Sequence, residues 1–322
     1  MRTHWSKRKD IPEHLIKLNS NETVDTALDV HIERFIDGLK PSLITRYPDI
    51  KQAYMNLAKL TRVPTDQIYI TSGADQGIRN IIHSLDIRNM NIHMPTFELC
   101  RVYCELYGIE ITPCEYKRVD NEFVRDPVNN SGSIYVAAPD SVTGATVTRD
   151  HISELCAKHE HVILDETYSV HDNRWLRTMI EHDNLYVIRS FSKTGGAAGL
   201  RIGYIISNKA NINQLYQHRP MFEINSIGAE YIKYITNNEH VIKMSADSVQ
   251  LGKKLLEDRL KIKGYKVYQT HANYTLVLYD ENLDKLLSRV CEYKLVIINL
   301  VPYIRITCAS PDVIRKLTNE IQ

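Results

Sequence analysis

Short apolar runs of strand length alternate with amphipathic stretches of helix length through the first two thirds of the chain. Ile50, Ala53, Leu57 and Leu60 recur at helical spacing, and residues 67–71 then read as a strand. Ser72-Gly73 follows, and Ile78, Ile81, Ile82 and Leu85 repeat the helical pattern. Further strands are expected at 90–94, 133–138, 161–165, 184–189 and 202–206, with a helix over 148–160. Parallel strands need a crossover connection, and helices supply it. The alternation therefore predicts an α/β fold, a mostly parallel sheet with helices on both faces. Ligands of such sheets bind beyond the carboxyl ends of the strands. Polar residues placed directly after a strand thus carry most weight.

Beyond residue 237 the pattern changes. A long helix is expected over 239–263, then a strand at 274–279, a helix near 282–293, strands at 296–298 and 303–307, and a closing helix. This predicts a smaller α+β unit packed closely on the first, since no Gly/Ser-rich or Pro-rich linker separates them. A length of 322 residues accommodates both at ~150 residues per domain.

Several function classes are disfavoured. With 40 Lys plus Arg against 39 Asp plus Glu, the formal net charge of +1 gives no footprint for a long polyanion, so nucleic acid is not expected as a partner. No apolar run approaches the ~18 residues that would cross a bilayer. Met1 to Asp10 carries no apolar stretch resembling a secretory signal. The six cysteines are scattered without a C-x-x-C pair, which suits a reducing cytoplasm. The closest histidines, His159 and His161, lack a zinc spacing, and no metal is expected.

Chemistry concentrates in one segment. The chain holds 13 glycines, and four of them, 195, 196, 199 and 203, follow Ser190-Phe-Ser-Lys193 at the end of an apolar strand. Arg201 lies among them. Two hydroxyls, a lysine and an arginine together suit a dianionic phosphate, and a lysine there can form a Schiff base with an aldehyde. Asp165 and Tyr168 follow a second strand; the aspartate either caps the next turn or belongs to a site. A third strand delivers Pro139-Asp-Ser141-Val-Thr-Gly144. A fourth delivers Gly73-Ala74-Asp75 at the start of a helix whose first amides can hold phosphate. No Walker sequence, G-x-G-x-x-G or G-x-S-x-G accompanies them.

Taken in order, these segments resemble the fold-type-I aminotransferases that use pyridoxal 5'-phosphate, with the histidinol-phosphate aminotransferases nearest in pattern. Asn19-Ser-Asn21-Glu22, Arg46-Tyr47-Pro48-Asp49, Ser72-Gly-Ala-Asp-Gln-Gly77, Pro95-Thr-Phe97, Asp165-Glu-Thr-Tyr168, Ser190-Phe-Ser-Lys193 and Gly199-Leu-Arg201-Ile-Gly-Tyr204 match family motifs. Asn225, Ala272-Asn-Tyr274 and Arg305-Ile-Thr307 match later landmarks.

The resemblance implies roles. Lys193 would carry the cofactor as a Schiff base and serve as the base at substrate Cα. Asp165 would keep the pyridine nitrogen protonated, Tyr168 would donate to the ring's 3' oxygen, and Phe97 would stack on the ring. Ser190, Ser192, Arg201 and the turn Gly73-Ala74-Asp75 would bind the phosphate. Tyr47 would reach the phosphate of a neighbouring subunit, which implies a homodimer. Arg305 would hold the substrate carboxylate, with Asn21 also toward the substrate. The implied organisation is an N-terminal arm over 1–25, a large cofactor-binding domain over 26–236 and a small domain over 237–322. Small-molecule amino acids and 2-oxo acids are the implied partners, without nucleic acid or membrane.

Three departures stand out. Ser141-Val-Thr-Gly replaces the family's N-P-T-G, and the resemblance implies that a shorter side chain would face the 3' oxygen. Thr23 follows the N-x-N-E stretch in place of the usual proline and glycine. The arginine common in a V-R-x-L run has no counterpart over 296–300. With Arg305 as the matching cation, a free amino acid is the expected donor and histidinol phosphate a poor one. The Ser141 change keeps a second reading open, a decarboxylase, lyase or oxidase of the same fold and cofactor.

Overall fold

The computed structural model describes residues 12, 14–169, 180, 182–193 and 195–320. A seven-stranded sheet forms the centre, in the spatial order Ile68–Thr71, Gly203–Ile206, Leu185–Ser190, Val162–Asp165, Ser133–Ala137, Asn89–His93 and Glu110–Cys114. All neighbours run parallel except Gly203–Ile206, which is antiparallel to both strands beside it. Side chains alternate across the sheet. Ile70, Val136, Leu164 and Val187 join one apolar layer, and Tyr69, Tyr135, Ile163 and Ile188 join the other. Burial on both faces explains why these strands read as continuous apolar runs.

Helices Ile50–Thr61, Arg149–Lys158 and Ser226–Asn237 pack on the first layer, and Ala74–Ser84, Glu98–Leu106 and Lys209–Tyr216 on the second. The expected strand ends hold to within a residue or two. The helix expected near 282–293 is shorter, Glu281–Leu287. Residues Cys291–Glu292 instead form a strand parallel to Ile16–Lys17, tying the start of the described chain to its C-terminal part. A hairpin at Tyr116–Val119 and Glu122–Arg125 lacked a legible pattern and sends Tyr116 and Phe123 onto the second sheet.

That second sheet is antiparallel, in the order Val267–Tyr268, Tyr274–Leu278, Val301–Thr307, Lys294–Ile298. Its Val277, Ile304 and Ile306 pack under helices Glu239–Ile262 and Pro311–Glu320. Its other face carries Tyr274, Val296 and Tyr303. Among the described residues no helix is long and apolar enough to cross a membrane.

One close approach fixes the carboxyl edge of the large sheet. Gly203 pairs with both Thr71 and Ser190. A Cβ on it would lie 2.5 Å from the Gly73 carbonyl carbon and 2.7 Å from the Ala74 nitrogen. Gly73 itself has φ of +84°, a left-handed backbone that glycine adopts without strain. Gly203→Ala therefore forces backbone against backbone. It should lower stability by about 1–3 kcal/mol, read as a fall of several degrees in the thermal midpoint, while Gly199→Ala, with open space around it, should change the midpoint little.

Candidate active site

The four segments singled out in the sequence converge at one edge of the large sheet. Asp165 ends a central strand, Ser190 ends its neighbour, and the Ser72-Gly73 turn leads into the Ala74–Ser84 helix. Because the next strand runs back antiparallel, the described residues 191–193 and 195–202 stay at that edge. They therefore return Arg201 to the side on which Lys193 left. A cavity of about 620 Å³ opens there, lined by Ala74, Asp75, Phe97, Ser141, Asp165, Tyr168, Ser190, Ser192, Lys193, Arg201 and Arg305.

Asp165 is buried. The Tyr135 hydroxyl donates to its Oδ2 at 2.7 Å and the Thr167 backbone N–H to its Oδ1 at 2.9 Å. Burial pushes the carboxyl above its ordinary range, and those hydrogen bonds oppose the shift. Tyr135 is itself pushed far up by burial, so it stays a neutral donor. Among the described residues no cation is paired with Asp165.

The Lys193 amine donates to the Ser20 carbonyl at 2.9 Å and lies 5.6 Å from the centre of the Tyr168 ring. Burial first, then the charges of Arg305 and Arg201, bring its pKa down to about 8, with Glu22 acting the other way. The Thr23 hydroxyl donates to the Lys193 carbonyl, so the residue in the usual proline–glycine stretch fastens the arm onto the lysine turn.

Around the Ala74–Ser84 helix start, no side chain caps the first amides. Ser190 Oγ donates to Ser192 Oγ at 2.9 Å, and the Ser192 N–H donates to Ser190 Oγ at 3.0 Å. Arg201, in left-handed backbone, donates to Asp75 Oδ1 at 2.7 Å.

Arg305 is buried with its guanidinium carbon 5.4 Å from the centre of the Tyr274 ring. Nη1 donates to the Ser141 carbonyl at 2.6 Å and Nη2 to the Asn19 carbonyl at 3.1 Å, while the buried Nε has no partner among the described residues. The turn beneath Ser141 keeps its shape without proline. Asp140 Oδ1 accepts from the Val142 and Thr143 N–H groups, both at 2.8 Å, an Asx turn.

Three expected site residues do not line the cavity. Gly73 lies behind it as the helix cap. Asn21 is fully buried and acts through Tyr168, donating to its hydroxyl at 3.1 Å while its Oδ1 accepts from Thr307. Tyr47 is 81% exposed, stacked on Phe222 with ring centres 4.5 Å apart. Sequence reasoning missed Tyr135 and Lys294. Lys294 also lines the cavity, as the register partner of Arg305 on the neighbouring strand. Extending the 296–298 strand back two residues would have found it, since Lys294 shares the inward side with Val296 and Ile298.

The profile of the aminotransferase class I and II family matches residues 13–321. The chain belongs to that family. It is similar to the histidinol-phosphate aminotransferase of Clostridium kluyveri, 26% identical over 93% of this chain and 90% of that protein. Its fold is similar to histidinol-phosphate aminotransferase from Sinorhizobium meliloti, solved in complex with pyridoxal 5'-phosphate, with a TM-score of 0.77 at 18% identity over 94% of this chain and 91% of that one. L-threonine-O-3-phosphate decarboxylase from Porphyromonas gingivalis has the same fold, with a TM-score of 0.79 at 19% identity over 95% and 98% of the two chains. The family and its structural neighbours bind pyridoxal 5'-phosphate.

The lowered pKa of Lys193 sets a pH dependence. Its neutral, nucleophilic form rises from about a tenth at pH 7 to about nine tenths at pH 9. Reaction of the cofactor-free protein with a small aromatic aldehyde, followed by absorbance against a Lys193→Ala background, should speed up about tenfold over that interval and then level off. An amine of ordinary pKa would still be accelerating at pH 10.

Proposed function

We propose that this chain transfers the amino group of an α-amino acid or related amine to a 2-oxo acid, with pyridoxal 5'-phosphate held at the cavity. The observation that carries the reading is a buried carboxylate, Asp165, with no paired cation among the described residues, lining the same cavity as an amine of lowered pKa, Lys193. Such a carboxylate fits a protonated ring nitrogen. The uncapped amides at Ala74-Asp75, the Ser190 and Ser192 hydroxyls and Arg201 fit the phosphate.

When bound, the cofactor supplies a reactive aldehyde carbon and an electron-withdrawing ring. The chain's own groups do the rest. Asp165 would keep a proton on the ring nitrogen, and Tyr135 and Thr167 hold its two oxygens in place. Tyr168, positioned by Asn21, would donate to the ring's 3' oxygen with Ser141, and Phe97 would stack on the ring. Lys193 takes the proton from substrate Cα and returns it. Arg305 would receive the substrate carboxylate through the terminal nitrogens, each of which has one N–H beyond its carbonyl bond.

The same reading makes the protein a cytoplasmic homodimer. All six cysteines are free, and Tyr47 stands exposed outside its own cavity, as a residue serving a second subunit would. It also divides the chain into an arm over 1–25, a large domain over 26–236 and a small one over 237–322. Of that arm, residues 1–11 and 13 lie outside the described residues.

Borohydride reduction of the yellow protein should fix one cofactor per chain on Lys193, read by peptide mass; label on another lysine would sink the assignment. Asp165→Ala should keep some cofactor yet lose turnover at least ~100-fold, more than ~2.7 kcal/mol of transition-state stabilisation. Production of a 2-oxo acid without CO₂ or peroxide separates transamination from the decarboxylase and oxidase chemistry of the same fold. Sedimentation should give a dimer, and Tyr47→Phe should weaken cofactor retention.

A further inference from the structure

Tyr135 stands two residues before Ala137, which is the register partner of Asp165 on the neighbouring parallel strand. It is buried in an apolar layer with Ala137, Ile163 and Ile188. A phenylalanine would fill that place without burying a hydroxyl, and a buried hydroxyl costs free energy unless it finds a partner. The Tyr135 hydroxyl donates to Asp165 Oδ2 at 2.7 Å, its only hydrogen bond among the described residues. The Thr167 N–H, which binds Oδ1, lies two residues along the same chain and moves with the carboxylate. Tyr135 comes from another strand and so fixes the carboxylate against the sheet. The remaining titratable groups around Asp165 are Asp140, Glu166, Tyr168 and the Cys100 thiol. Glu166 is held by Arg189 at 2.6 Å, and Asp140 accepts from the Val142 and Thr143 N–H groups. Burial and the Asp140 charge make Asp165 a stronger base, and the Tyr135 hydrogen bond makes it a weaker one.

We propose that Tyr135 is a positioning residue whose hydroxyl keeps the proton shared by Asp165 and the cofactor ring on the ring nitrogen. The inference rests on the reading above that Asp165 faces that nitrogen. A carboxylate out of water and a pyridine nitrogen are two bases competing for one proton. With the proton on the carboxyl, the ring is neutral and withdraws electrons poorly. With the proton on the nitrogen, the ring withdraws strongly and the pair is ionic. A donor to the carboxylate favours its ionised form. Tyr135 is pushed far up by burial, so it stays a neutral donor throughout. A lysine or arginine in its place would also weaken Asp165 as a base, but its positive charge would compete with the protonated ring for the same carboxylate. A neutral hydroxyl lowers the basicity and leaves the negative charge for the ring.

Carbon NMR of the cofactor-free protein, labelled at the aspartate carboxyls and with the Asp165 signal assigned by Asp165→Asn, reads this carboxyl directly. Tyr135→Phe should raise its titration midpoint by about one pH unit or more. Tyr69→Phe removes a hydroxyl of the same apolar layer that is bound by Asn80, and it should leave the midpoint in place. Replacing Tyr135 by 3-fluorotyrosine, a stronger donor of nearly the same shape, should lower the midpoint and decides the point if Tyr135→Phe does not fold. In the loaded protein, nitrogen NMR of a ring-labelled cofactor should show a protonated ring nitrogen in the wild type and a shift toward the unprotonated signal in Tyr135→Phe. A midpoint unmoved by Tyr135→Phe, an equal shift from Tyr69→Phe, or a ring nitrogen equally protonated with and without the hydroxyl overturns the proposal. The two readings fail separately. A wild-type protein that takes up no cofactor, or never protonates its ring, strikes the role of Asp165 and the proposal with it. A protonated ring indifferent to Tyr135 strikes the proposal alone.

Discussion

Asp165 ends a strand that has parallel neighbours on both sides, and its carboxylate is out of water with a tyrosine hydroxyl and one backbone amide as hydrogen-bond partners. A buried carboxylate costs several kcal/mol unless charge or hydrogen bonding compensates it. Two hydrogen bonds offset part of that cost, and the raised pKa records the remainder. The position is a consequence of strand order. Val162–Asp165 is fourth of seven strands, so its carboxyl end opens at the middle of the sheet edge, where loops from both sides close over it. On the proposed reading, a protonated ring nitrogen would meet this carboxylate where water cannot neutralise the interaction.

The antiparallel strand Gly203–Ile206 sets the cationic side. In a wholly parallel sheet, the chain leaving Ser190 would cross over and next reach this edge at the end of another strand. Here it loops through Lys193 to Arg201 and re-enters at Gly203, keeping both cations within one short loop. The N-terminal segment then closes on that loop. The carbonyls of Asn19 and Ser20 accept from Arg305 and Lys193, and Thr23 holds the Lys193 carbonyl. Burial under this segment and the proximity of two arginines lower the Lys193 pKa, so fold closure and lysine reactivity share one cause.

The residues legible in the sequence are those whose position follows from a strand's end. Asp165, Ser190 and Gly73 sit directly after apolar runs, and Lys193 and Arg201 flank a glycine-rich turn, so counting along the chain was enough. Lys294 was not legible that way. Its place at the cavity comes from register with Arg305 across two strands, and the edge strand begins with exposed residues that blur its start. Tyr135 reads as plain strand interior; only the sheet shows its hydroxyl reaching the neighbouring strand end. Asn21 matched a motif, yet its side chain is spent on Tyr168 and Thr307. Motif matching finds such a residue without telling whether it touches a ligand or holds one that does. The helix expected to reach 293 stops at Leu287 because the following residues pair with Ile16–Lys17, a contact 275 residues distant at Ile16–Cys291 that local periodicity cannot contain.

The turn at 140–144 links the two sides. Asp140 holds the backbone of Val142 and Thr143, and its Oδ2 accepts from Thr96. The Ser141 carbonyl is thereby fixed for Arg305 Nη1. Asparagine and proline in the family's N-P-T-G are thus not needed to shape this turn; an aspartate one residue earlier does so through its side chain. Ser141 then contributes its backbone to the arginine and a short hydroxyl to the cavity. The guanidinium is pre-oriented by two carbonyls before any substrate arrives, which lowers the entropy lost on binding.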